Sequence, residues 1–163
     1  MFDWWFGIAA TAEASTLAVW LRSSAWGYPT VESVHIWGLS VLVGTAVAFD
    51  LRLLGLGSRL PVDALARLLL PCARGGFAVA ALSGALLFAM QATTFAGQPL
   101  FYLKMGSIFV AVMNATLFHR GIFRSVSQWN YSPYTPVSSK IAAIVSLVAW
   151  TFALFCGRWL AYV

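Results

Sequence analysis

From Ile36 to Phe49 the chain carries no ionisable side chain, and three further apolar runs follow it. Runs of this kind leave few folds available. Only 9% of the 163 residues are charged, 61% are hydrophobic, and the mean hydropathy is +0.82. A soluble domain needs about a quarter of its residues charged to face water on all sides. The alternative solvent is lipid. At ~20 residues per crossing the chain holds four or five spans with short loops, so one membrane domain covering 1–163 is expected.

Punctuation by Gly and Pro divides the chain further. Residues 3–25 hold Glu13 amid Ala, Ser and Thr, with Trp4, Trp5 and Trp20 around it. A spanning helix here would bury Glu13 near the bilayer centre. A helix lying at the interface keeps it wet and sets the tryptophans at headgroup depth, and that arrangement is favoured. Four spans are predicted after it, at about 30–53, 74–95, 100–124 and 137–160. Pro29 and Pro136 open the first and last. Between spans one and two, Pro61 and Pro71 bracket an amphipathic segment with Asp63 and Arg67 at i, i+4, read as a separate surface helix. The fold class is therefore all-α: a four-transmembrane-helix bundle with an N-terminal interfacial helix.

The net charge of +5 points to membrane topology and away from nucleic acid, because the basic residues sit in short loops. Arg52, Arg59, Arg67, Arg74, Arg120, Arg124 and Lys140 flank one side, against Arg22, Lys104 and Arg158 on the other. That bias predicts the two long loops in the cytoplasm and both termini outside. Trp26, Tyr102, Trp159 and Tyr162 would form the outer aromatic belt, and Trp129, Tyr131 and Tyr134 the inner one. Cys72 and Cys156 fall at opposite faces, too far apart for a disulfide. No signal peptide is evident.

Ionisable groups within a span are costly and call for a reason. His35 lies about two turns into span one, on a face continuing through Gly38, Leu42 and Thr45. Span two offers its own small stripe, Gly76, Ala80, Ser83 and Gly84. Such stripes serve close helix packing or the approach of a flat ligand. Lys104 enters span three at a similar depth, so Glu32, His35 and Lys104 are expected to form an outer polar cluster, unless Lys104 simply snorkels to the headgroups. His119 lies fifteen residues further, ~22 Å along the axis, level with Asp50 and Arg52 at the cytoplasmic edge. There it is either solvated or functional. His35 and His119 thus cannot ligate one haem within a single chain.

The stretches VESVHIWGLSVLVGTAVAFDLRLLGL and QPLFYLKMGSIFVAVMNATLFHR resemble a group of uncharacterised four-helix bacterial membrane proteins over nearly the full chain. More distantly, His35 with its small neighbours and Lys104 are similar to the copper-resistance protein D family and to membrane protoporphyrinogen oxidases of the HemJ type. The latter resemblance implies haem b, with functional roles for His35 and Lys104. Three functions fit these residues. In the leading one a b-type haem binds near the outer face, with His35 as axial ligand, Glu32 or Lys104 toward a propionate or substrate, and Gly38 on the face accepting the ring. Alternatively the chain is an accessory subunit that docks with other membrane subunits or with itself. A third possibility is copper or other metal handling, with His35, His119, Met105 and Met113 as ligands.

Overall fold

A computed structural model of the chain describes residues 3–131 and 135–162. Every regular element among them is helical: α1 (Asp3–Glu13), α2 (Thr16–Ser23), α3 (Gly27–Leu54), α4 (Val62–Met90), α5 (Ala92–Ala96), α6 (Pro99–Arg120), a 3-10 turn (Ile122–Ser125), α7 (Val126–Trp129) and α8 (Val137–Trp159). Four helical segments, starting at Gly27, Val62, Pro99 and Val137, are long and apolar enough to cross a bilayer. Local chemistry sets their ends. Gly55, at φ +113°, closes α3 in the left-handed conformation that a residue with a Cβ resists. Pro99 opens α6, where a missing N–H costs nothing.

Two expectations about element boundaries are corrected. The predicted interfacial helix over 3–25 is broken into α1 and α2, because Ser15 turns out of the helix and caps the next one by accepting a hydrogen bond from the Ala18 N–H. The segment after Pro61 is not a separate surface helix. It runs unbroken through Pro71 into the second span, as a lipid-embedded helix tolerates when neighbouring groups compensate. At 1.5 Å per residue α4 is ~43 Å long, longer than the ~30 Å hydrocarbon layer, so it tilts or projects from it.

The tightest pairing joins α3 to α4. A Cβ on Gly38 would lie 2.8 Å from the Ala80 nitrogen, and one on Gly76 would lie 2.7 Å from the Leu42 nitrogen. Two backbones meet here with no side chain between them, which lipid-embedded helices use in place of hydrophobic burial. Helix α8 then packs on α3, and α6 on α8. Near the α3–α4 loop, Leu53, Val62, Phe118, Trp129 and Ala143 form a closed core.

Polar clasps tie down both ends. At the end carrying the termini, Glu13 accepts hydrogen bonds from the Thr93 N–H and hydroxyl, while Arg22 bridges Glu13 to the Met90 carbonyl. At the other end Asn130 accepts from the Asp63 N–H and donates to its carboxylate. Arg52 is 2% exposed and donates to the Leu60 and Ser58 carbonyls, so it braces the loop from inside. The aromatic belts are only partly as predicted. Trp26, Tyr102, Trp159, Tyr162 and Tyr131 are exposed, but Trp129 is buried in the core and Trp5 turns inward onto Phe88. Tyr134 lies outside the described residues.

Candidate functional site

His35 faces α4. Its Nδ1 lies 2.8 Å from the Ala80 carbonyl oxygen and 3.2 Å from the Ser83 hydroxyl. A carbonyl only accepts, so Nδ1 carries the proton and Nε2 carries the free lone pair. The ring lies over Gly84: a Cβ there would meet Cε1 at 2.9 Å and Nδ1 at 3.3 Å, with Nε2 furthest at 3.9 Å. Gly84 therefore makes the room in which the imidazole sits, and the nitrogen with the free lone pair is the one further from it.

Lys104 approaches from α6 by crossing α8. Its Nζ would lie 3.2 Å from a Cβ on Gly157, so that glycine forms the notch the side chain runs through. The ammonium and the Glu32 carboxylate both lie within electrostatic reach of the His35 ring. The expected outer cluster is looser than a bonded triad: His35 is hydrogen-bonded to α4, Lys104 lies on α8, and Glu32 is exposed on α3. Gly38 is corrected outright. Expected to accept a flat ring, it is closed against Ala80 and Gly76 and has no free face.

At the other end of the bundle the four spans line a partly open cavity of about 110 Å³. Asp50 of α3, His119 and Asn114 of α6, and Ser146 and Trp150 of α8 line it. His119 is not the solvated interfacial residue that its position beside Arg120 suggests. Its Nδ1 lies 2.8 Å from the Ala115 carbonyl, Phe49, Phe118 and Phe123 surround the ring, and its Nε2 is buried without a partner. Phe49, against which it stacks, is fourteen residues from His35 along α3, ~21 Å by helix rise. The two histidines serve separate ends. Met105 and Met113 are 40% and 43% exposed, and no group of three His, Cys, Asp or Glu side chains converges among the described residues.

Asp50 and His119 stood out in the sequence as ionisable groups at one depth. Their convergence with Asn114 and Ser146 did not, because the rotation of each helix about its axis leaves no trace in an apolar run.

Fold and sites together define an all-helical, four-span membrane protein with a polar site near each end of its bundle. The chain belongs to a family described as "Family of unknown function (DUF6644)", whose model matches residues 6–163. No curated protein and no solved structure matches it.

Proposed function

We propose that this is a bacterial inner-membrane protein, with both termini periplasmic, that binds a b-type haem near that face through Nε2 of His35 and takes part in membrane redox chemistry. The observation that carries the proposal is the hydrogen bond from His35 Nδ1 to the Ala80 carbonyl. A backbone acceptor behind the ring sets the tautomer and raises the basicity of the distal nitrogen, as is usual for a ligating histidine. The donor set fits a single axial imidazole per chain, since His119 is ~21 Å away along the bundle. Bound there, the haem would supply one-electron chemistry. The chain's own part is to orient the imidazole through Ala80, Ser83 and Gly84 and to offer the Lys104 ammonium to an anionic propionate. The orientation rests on the bias of seven basic residues against three.

Absorption spectroscopy on protein purified after haem-replete expression tests this. A Soret band that shifts with dithionite and is lost in His35→Ala is the expected result, and a wild-type protein without the band refutes it. Activity of a periplasm-dependent phosphatase fused to the C-terminus tests the orientation.

A further inference from the structure

The cavity at the α3–α4 loop end holds a buried acid that forms no ion pair among the described residues. Asp50 is 6% exposed, and its Oδ2 has no partner. The ion pairs among the described residues are Glu13–Arg22 and Asp63–Arg67, both elsewhere. Arg52, two residues on, directs its guanidinium to the loop carbonyls of Ser58 and Leu60.

The Ser146 hydroxyl lies within hydrogen-bonding reach of Asp50, and three other groups of the cavity add acceptor atoms. Asn114 donates one Nδ2 hydrogen to the Ala142 carbonyl at 2.8 Å, which leaves its Oδ1 and a second N–H. Thr45 donates its hydroxyl proton to the Val41 carbonyl at 2.7 Å, which leaves its lone pairs. His119 donates from Nδ1 to Ala115, which leaves the buried, unpartnered Nε2. Trp150 adds an aromatic wall. A cavity in which Asp50 Oδ2 and His119 Nε2 are both buried without partners calls for an occupant that brings donors and positive charge.

We propose that this cavity binds a small primary ammonium ion, of methylammonium to short-alkylamine size, with Asp50 as its counter-ion. Three features select an ammonium over a bare metal cation. Hard cations gather several oxygen ligands at short distances, whereas no group of three His, Cys, Asp or Glu side chains converges among the described residues. The Nε2 of His119 is a good acceptor for N–H⁺ and a poor ligand for a hard ion. The indole of Trp150 attracts an organic cation through its π face. The site is independent of the haem proposal, since it shares no residue with His35 and lies at the opposite end.

Methylammonium chloride titrated into the purified protein in nanodiscs, followed by calorimetry and tryptophan fluorescence, tests this against sodium chloride at equal ionic strength. Saturable binding of methylammonium alone is expected, weakened about tenfold or more in Asp50→Asn, the equivalent of at least ~1.4 kcal/mol, and the fluorescence response should vanish in Trp150→Phe. Absence of saturable binding, or an equal response to sodium, overturns the proposal. Should Asp50→Asn not fold, infrared spectroscopy of the wild type decides the matter. A protonated-carboxyl band unchanged by methylammonium means that Asp50 is neutral and overturns it, whereas a carboxylate band that shifts on adding the amine upholds it.

Discussion

Glu13 holds Thr93 by two hydrogen bonds, accepting the backbone N–H at 2.9 Å and the hydroxyl at 2.6 Å. The Thr93 amide is one of the free donors of the first turn of α5, so a residue eighty positions earlier acts as the cap of that helix. The carboxylate that looked like a burden in a possible span is what fastens the α1–α2 segment to the bundle.

This clasp makes the N-terminal segment acid-sensitive. The Thr93 hydroxyl first, then the Thr93 amide and Arg22, hold the Glu13 carboxyl below the ordinary carboxylate value. A lowered folded value means that the stabilisation is complete above the unfolded value, about 4.3, and is lost as pH falls through the folded one. Hydrogen exchange at the Thr93 amide is expected to speed up over that acid range in the wild type. Glu13→Gln should abolish the pH response, and Glu13→Ala should loosen α1–α2 by about 1 kcal/mol at neutral pH.

The α3–α4 contact should tolerate no added methyl. Gly38→Ala and Gly76→Ala each push a Cβ into backbone nitrogen, at 2.8 and 2.7 Å. Each is expected to cost about 1–3 kcal/mol, read as a lower unfolding midpoint in detergent. Gly44→Ala on the same α3 meets nothing within 4 Å. It should be neutral or slightly stabilising, since alanine favours helix. A uniform effect at all three sites would contradict the packing described.

Asn130 is 7% exposed and carries the start of α4 through the Asp63 N–H. Asn130→Ala is expected to destabilise by about 1 kcal/mol or more, since it removes a cap and orphans a donor. Removing Arg67, whose pairing with Asp63 is largely exposed, should cost less than about 1 kcal/mol. Thermal unfolding of the two variants side by side checks the order.

Gly84→Ala reaches the His35 ring without touching its chemistry. The added Cβ at 2.9 Å from Cε1 must move the imidazole, lengthening its bond to Ala80. If His35 ligates haem, the variant should retain a Soret band at altered position or lower occupancy, while Gly75→Ala, with nothing within 4 Å, should leave it unchanged.

What the amino-acid sequence determined by itself was whatever one helix decides alone. Apolar run length set the membrane and the number of spans, Gly and Pro set several helix ends, and residue spacing set the depth of each ionisable group. Depth was enough to separate His35 from His119 and to bring Asp50 level with the latter. Which way each group faces belonged to the tertiary structure. In water a helix announces its buried side by amphipathicity, but in lipid both sides are apolar, so rotation about the axis is hidden. That is why the small stripe around Gly38 could be read as a ring-binding face until it proved closed against α4. It is also why Trp129 was expected at the interface and lies in the core. The clasp of Glu13 on Thr93, the continuation of α4 through Pro71, and the acceptor-lined cavity around Asp50 each depend on contacts between elements distant in the chain, and only the packed bundle supplies them.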